Sequence, residues 1–388
     1  MSQKYEFQIY DYLETHEHDT TSSEESPDTE EDIGTYTINL FGRTIDDKSV
    51  YVRVQEYTPY FYVKIPDRWK KSKVDMFVDY VKSKVWGKYR NGLINYDVVD
   101  RHIAWGFTAG NSFKFVRLIF NNKNAMSRYN YVFNNKLQIP RVCNKYKKYK
   151  VYESNILPMI RCMHIRDIKG CGWVEINPKE CVTVEEEDKV SRCDIELKVR
   201  WTKINPIEKD AIAPLIVASF DIETYSIDGK FPQAYREGDT IIQIGTTFSR
   251  YGESKCFYQH MVTLGTCDKI EGADVESYQN EEDVILAWVR MMNRVGPDII
   301  TGYNIFYFDE KYVYDRSCHK RVNCKIEASM WSKLKHHECN FKEITLSSSA
   351  LGDNHLRYYV TPGIVHIDLM KVIQKDYKLD GWKLDYVA

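Results

Sequence analysis

The feature that most constrains this chain is a six-residue run, Leu215-Ile216-Val217-Ala218-Ser219-Phe220, which continues directly into Asp221-Ile222-Glu223-Thr224. So short and dense an apolar run reads as a strand of the kind buried on both faces. In a strand, residues i and i+2 point to one side, roughly 6.5–7 Å apart. Asp221 and Glu223 therefore project two carboxylates to the same side at the end of a hydrophobic strand. Like charges so placed repel unless cations sit between them. Hard divalent ions such as Mg²⁺ take oxygen ligands. Two such ions roughly 4 Å apart activate a water and stabilise the leaving oxygen of a phosphodiester. Alone, Asp-x-Glu fits an exposed acidic strand end equally well, so the context has to decide.

That context begins about eighty residues downstream, at Thr301-Gly302-Tyr303-Asn304-Ile305-Phe306-Tyr307-Phe308-Asp309. A glycine at a strand end lets the backbone turn closely. Asn304 can donate to backbone or to a phosphate oxygen, and Asp309 supplies a third carboxylate from a helix start. From about residue 210 the pattern is α/β, with further strands over 241–248, 256–262 and 298–302. Asn280 caps a helix whose first turn holds Glu281, Glu282 and Asp283. Val284, Ile285, Trp288, Val289 and Met292 share its apolar face, and Gly296-Pro297 ends it. Residues 308–316 open another helix.

Upstream the chain reads as β-rich. Residues 36–41 and 50–54 form a hairpin around Asp46-Asp47-Lys48, and 60–63 follow as a strand. A helix is expected over 67–85, with Met76, Phe77, Tyr80 and Val81 at helical spacing. Residues 14–32 carry nine acids and no Lys or Arg. Residues 1–35 are expected to be a disordered acidic segment, too polar to offset the entropy of ordering. Without those nine charges the rest of the chain stands at +7, against −2 overall, which permits a polyanionic partner. The longest apolar run, 211–220, is interrupted by Pro214 and too short to span a bilayer. The start of the chain lacks the charged-then-apolar layout of a secretory signal. Ten cysteines with no Cys-x-x-Cys pair then point to a reducing intracellular compartment.

Together these motifs carry a resemblance. Phe220-Asp221-Ile222-Glu223-Thr224 resembles the first exonuclease motif of the B-family DNA polymerases, and Gly302-Tyr303-Asn304 with Phe308-Asp309 resembles the second. Asp239-Thr240-Ile241-Ile242-Gln243-Ile244-Gly245 is similar to the same family. So are Ser348-Ser349-Ala350-Leu351-Gly352-Asp353, Pro362-Gly363, Ile367-Asp368-Leu369 and Tyr377-Lys378-Leu379. Pro59-Tyr60-Phe61-Tyr62 and Tyr152-Glu153-Ser154-Asn155-Ile156 resemble the amino-terminal domain of the delta-type branch, and polymerases of large DNA viruses of eukaryotes look most similar.

The resemblance implies a mixed α/β fold: a β-rich amino-terminal domain over 36–205, then an incomplete RNase H-like 3′–5′ exonuclease domain over 206–388. It implies that Asp221 and Glu223 ligate two Mg²⁺ ions, with Mn²⁺ as an alternative, and that Asp309 holds the second, partly through water. Asn304 would position the substrate strand, Thr224 would sit beside the terminal nucleotide, and Phe308 would pack under Asp309. The implied partner is DNA, as a single-stranded 3′ end and as primer–template. Deoxynucleotides would be substrates of the complete enzyme. A separate carboxyl-terminal polymerase chain or a sliding clamp are further implied partners. No membrane is implied, and the place of action is host cytoplasm or nucleus. After Asp309 no tyrosine is followed four positions later by Asp, so the family's third motif, Tyr-x-x-x-Asp, is missing. The palm motifs Asp-x-x-Ser-Leu-Tyr-Pro and Asp-Thr-Asp are missing too. The expectation is the front part of a polymerase, with weak metal binding and little cleavage by this chain alone.

Other features admit plainer readings beside the functional ones. Arg141, Lys145, Lys147, Lys148 and Lys150 alternate with Tyr146, Tyr149 and Tyr152, either as a DNA-contacting stripe or as solvated lysines on an amphipathic strand. Cys318, His319, Cys324, His336, His337 and Cys339 are spaced too irregularly for a structural zinc. Glu185, Glu186 and Glu187 form a solvated face. Two further readings stay open: a non-catalytic DNA-binding or assembly module from a split polymerase, and an RNase H-like nuclease unconnected to polymerases.

Overall fold

The computed structural model describes residues 4–17, 33–348 and 352–388. Residues 1–3 and 18–32 of the expected acidic segment lie outside the described residues, as do Ser349, Ala350 and Leu351. The largest sheet has seven strands, in the order Cys181–Thr183, Ile195–Arg200, Ser49–Gln55, Thr35–Arg43, Tyr5–Glu17, Trp173–Ile176, Ile204–Ile207. A four-stranded sheet beside it is built from Leu93–His102, Ser112–Phe120, Tyr60–Lys64 and Val151–Tyr152. The expected hairpin around Asp46-Asp47-Lys48 forms, with Ile38 opposite Val54 and Arg43 opposite Ser49.

The first strand, Tyr5–Glu17, corrects the expectation of disorder for those thirteen residues of the 1–35 segment. Tyr5–Glu17 is paired on both sides, to Thr35–Arg43 and to Trp173–Ile176. Phe7 and Ile9 are fully buried, so alternating apolar side chains anchor its first half. Glu14, counted among the acids of the segment, accepts from the Tyr36 hydroxyl at 2.7 Å and pairs with Lys123. The expected helix over 67–85 is trimmed to Lys71–Ser83, and its inward face is Val74, Phe77, Val78 and Val81, with Met76 outside.

The acids lie in a six-stranded sheet, in the order Asp274–Tyr278, Tyr258–Leu264, Ile241–Arg250, Ile216–Thr224, Ile299–Gly302, Val365–Asp368. Ile216–Thr224 runs antiparallel to Ile241–Arg250 and parallel to Ile299–Gly302, which is in turn parallel to Val365–Asp368. Three parallel strands therefore end side by side, the arrangement that opens a crevice at the carboxyl edge of an α/β sheet. The expectation of a strand buried on both faces is corrected here. Ile216, Ala218, Phe220 and Ile222 are buried, whereas Ser219, Asp221 and Glu223 are exposed on the opposite side. The buried side is covered by the helix Glu281–Val295, whose Trp288 ring lies 5.4 Å from Phe220 and donates its N–H to Thr246 at 3.1 Å. Asn280 caps that helix by accepting from the Asp283 N–H, and Gly296 ends it in the left-handed region.

A buried ionic joint fastens this sheet to the seven-stranded one. Asp298 accepts from Arg43 Nε at 2.5 Å, Lys333 Nζ at 2.9 Å and the Ile216 N–H at 2.8 Å. Burial alone would raise the Asp298 carboxyl, but Lys333 and Arg43 hold it below the usual carboxylate range. The joint fixes the beginning of the strand whose far end carries the acids.

Candidate active site

Asp221 and Glu223 extend from the exposed side of the central strand, where the pairing slips by one residue between Glu223 and Thr224. Such a bulge re-aims side chains at a strand end. Asp309 is the first residue of the helix Asp309–Ser317 and is only 2% exposed. Its Oδ1 accepts from the Ile222 N–H at 3.2 Å, which places its carboxyl beside the central strand between the two acids. Burial, the Asp221 charge and a hydrogen bond with the Asp221 side chain push the Asp309 carboxyl up to about 8. Two carboxylates this close repel one another, and a cation between them would relieve that repulsion.

Glu223 stands further off. His260, Asp274 and Glu276 form the one trio among the described residues whose ligand atoms all lie within 4.8 Å of one another. Glu223 is therefore more than that distance from at least one of Asp221 and Asp309. The His260 trio is already engaged: His260 Nε2 meets Glu276 at 3.0 Å, Tyr258 binds Asp274 at 2.9 Å and Tyr278 binds Glu276 at 2.7 Å.

The approach to Asp309 is held by backbone. Gly302 is required, because a Cβ there would meet the Phe220 carbonyl oxygen at 2.7 Å. Asn304 adopts φ +66°, and its N–H donates to Asp368 Oδ1 at 2.9 Å. Asp368 also accepts from the N–H groups of Phe306 at 3.1 Å and Met370 at 2.9 Å. Phe308 is half-buried, with Phe231 and Tyr312 rings 5.4 and 5.5 Å away. Thr224 is half-buried beyond the bulge. The loop over 225–239 is folded back by the buried Asp239, which accepts from the N–H groups of Ile227 at 3.1 Å and Gln233 at 2.8 Å. It leaves Tyr225, Phe231 and Tyr235 exposed, and Tyr307 is exposed on the other motif.

Sequence reasoning missed the positioning roles of Asp239, Asp298 and Asp368. An Asp between an apolar strand and an apolar helix is an N-cap signal, which could have found Asp368. Lys145 and Lys147 lie on the exposed strand Cys143–Lys147, in a separate two-stranded sheet, and are not brought to the acids. Lys148 donates to the Asn134 carbonyl, and Lys150 lies 5.0 Å from the Tyr152 ring. Of the tyrosines in that stripe, Tyr149 is buried and Tyr146 is exposed. Cys324 and Cys339 are buried, and burial pushes their thiols up to about 12 and about 11. Neither belongs to a metal-suited group among the described residues.

The oxygen-only donors Asp221, Glu223 and Asp309 suit a hard divalent cation. Known proteins agree with this architecture. A family model described as DNA polymerase family B, exonuclease domain, matches residues 149–387. The DNA polymerase of Acanthamoeba polyphaga mimivirus is 34% identical over 100% of this chain and 26% of its own length. The DNA polymerase delta catalytic subunit of Schizosaccharomyces pombe is 28% identical over 91% of this chain and 32% of its own. Among solved structures, the family B DNA polymerase from Pyrobaculum calidifontis superposes with a TM-score of 0.63 at 17% identity, covering 98% of this chain and 39% of that one. The chain thus spans between 26% and 40% of the length of the first curated relatives it matches. Among the described residues no helix is long and apolar enough to cross a membrane.

Proposed function

This chain belongs to the family B DNA polymerases, through their exonuclease domain, and on that premise we propose that it hydrolyses DNA from the 3′ end at Asp221, Glu223 and Asp309. One observation carries the reading: the buried Asp309 carboxyl, which accepts from the Ile222 N–H at 3.2 Å, lies in hydrogen-bonding reach of the Asp221 side chain at the strand end. Divalent cations, Mg²⁺ or Mn²⁺, held there supply charge neutralisation at the scissile phosphate and a water ready to attack. The residues do the rest. Asp221 and Glu223 offer carboxylate oxygens from a strand that cannot move without breaking its pairing, and Asp309 offers one from a helix start. Asn304 and Thr224 flank the crevice, suited to orient the terminal nucleotide. The exposed rings of Tyr225, Phe231 and Tyr307 suit unpaired bases.

The relatives are much longer than this chain. Polymerisation of deoxynucleotides on primer–template, contact with a sliding clamp, and action in host cytoplasm or nucleus are accordingly proposed for the longer polypeptide. Lys145, Lys147, Lys148 and Lys150 are proposed as phosphate contacts, on the strength of their exposure.

The test is digestion of a 5′-labelled single strand in Mg²⁺ or Mn²⁺, by this chain alone and mixed with a carboxyl-terminal polymerase polypeptide. Stepwise shortening from the 3′ end that vanishes in Asp221→Ala supports the reading. No shortening in either mixture, or shortening that survives Asp221→Ala, ends it.

A further inference from the structure

A second charged surface lies away from the acids, against the four-stranded sheet. A hollow of about 490 Å³ opens between the turn after the helix Lys71–Ser83 and the helix Lys123–Val132. Lys84, Trp86, Lys88, Tyr89, Arg128 and Tyr131 line it, and no carboxylate does. Trp86 is 85% exposed and Tyr131 69%, an unusual placement for two large rings. Arg128 and Lys88 lie 5.7 and 5.9 Å from the Tyr89 ring, so rings and cations interleave.

The rings stand on a rigid base. Tyr129 donates its hydroxyl to the Arg90 carbonyl at 2.6 Å, tying the short helix Gly87–Gly92 to Lys123–Val132. Gly87 sits at φ +66°, the turn that presents Trp86 outward. Lys148, just past the strand Cys143–Lys147, donates to the Asn134 carbonyl, two residues beyond the end of the helix Lys123–Val132. The charge bias is long-range: residues 101–152 hold eleven Lys or Arg and no Asp or Glu.

We propose that this hollow is a stacking site for the unpaired bases of single-stranded nucleic acid, with Trp86 and Tyr131 as the stacking rings and Lys84, Lys88 and Arg128 as the phosphate contacts. An interleaved row of exposed rings and cations is what such a strand requires, because every base has a π-face and every linkage a charge. A duplex hides its base faces and cannot use the rings. The site goes beyond the hydrolytic reading: it lies in another sheet and needs no metal.

The experiment is fluorescence anisotropy of labelled 20-mers with this chain in EDTA, where no digestion occurs. Trp86→Ala with Tyr131→Ala should weaken binding of an oligo-dT roughly 5- to 150-fold per stacked base lost. Trp86→Phe with Tyr131→Phe should retain most of it. Lys84→Ala, Lys88→Ala and Arg128→Ala together should flatten the slope of log affinity against log salt by about 2. An abasic strand should bind worse than oligo-dT. Tighter binding of oligo-dT than oligo-rU assigns the strand to DNA and the reverse to RNA; both support the site. Unchanged affinity in a folded Trp86→Ala, Tyr131→Ala protein overturns the proposal, as does an abasic strand or a duplex bound as tightly as oligo-dT.

Discussion

The two charged regions of this molecule treat like charges in opposite ways. The acids are crowded: Asp309 is buried, bonded to Asp221 and fixed by the Ile222 N–H. The cations of the amino-terminal region are spread out, with Lys84, Lys88, Lys145 and Lys147 each in solvent. A crowded carboxyl pair is unfavourable until a proton or cation joins it, so its geometry selects what binds. An exposed row of cations costs little to fold, and it attracts any polyanion with an affinity that salt erodes. The acidic site is thus specific through burial, and the basic surface is permissive through exposure.

The comparison breaks most severely at the joint between the regions. Asp298→Ala leaves Arg43 and Lys333 buried and unpaired, and frees the Ile216 N–H. The expected loss is about 3–5 kcal/mol, read as a shift in denaturant midpoint. A loss of less than about 1 kcal/mol, in the range of exposed ion pairs, would show that the joint is not buried in solution.

Asp309→Asn sharpens the contrast at the acids. The amide keeps an acceptor for the Ile222 N–H but removes the charge, so exonuclease activity should fall on the order of 10²–10³-fold. The pH dependence follows from the direction of the shift. The folded-state value, about 8, lies above the ordinary 3.8, so the folded protein holds the proton more tightly than the unfolded one. This contribution is fully present below 3.8 and is lost as pH rises through about 8. The metal-free protein should therefore lose melting temperature between those limits. Mg²⁺ should restore it at alkaline pH and have no effect near pH 4. In Asp309→Asn both effects should disappear, and persistence of either would place the proton elsewhere.

Asp368→Ala should act less strongly. Three N–H groups lose their acceptor, and the left-handed turn at Asn304 loses its brace. A loss of about 1–3 kcal/mol is expected, with Asp368→Asn recovering part of it, because an amide oxygen can still accept. Equal losses in the two variants would show that the negative charge, rather than the acceptor geometry, holds the turn.

What the sequence revealed and what it hid divide along the same physical line. Asp221 and Glu223 were legible because strand parity is local: two residues apart means one side. The helix Glu281–Val295 was legible through its cap and its apolar spacing. Asp309 needed the motif around Gly302 and Asn304 as well, since a helix start alone does not say which strand it meets. The hidden parts depend on distant pairing. The strand Tyr5–Glu17 was masked by the acids that follow, because its partner Trp173–Ile176 lies far along the chain. Burial on one side of Ile216–Thr224 was hidden in an apolar run whose single polar member, Ser219, marks the open side. Trp86 and Tyr131 come to line one hollow only when the turn after Lys71–Ser83 packs against the helix Lys123–Val132. The acid-free stretch over 101–152 is readable in the sequence, yet its basic-aromatic alternation shows only over 141–152.

The smallest expected effect tests the permissive side of the comparison. Lys147 is exposed at the end of the strand Cys143–Lys147, with its ammonium 5.3 Å from the Tyr149 ring. Lys147→Ala should change stability by no more than about 0.5 kcal/mol, as at other exposed positions. Its effect belongs in binding: removing one phosphate contact should flatten the salt slope for a single strand by about 0.7. Lys148 offers the internal control, because its ammonium is already donated to the Asn134 carbonyl. Lys148→Ala should flatten the slope less and disturb the end of the helix Lys123–Val132 more. If the two substitutions behave alike in both measurements, the cations do not act independently. The surface would then share the crowded character of the acids, and the contrast between the two regions would fail.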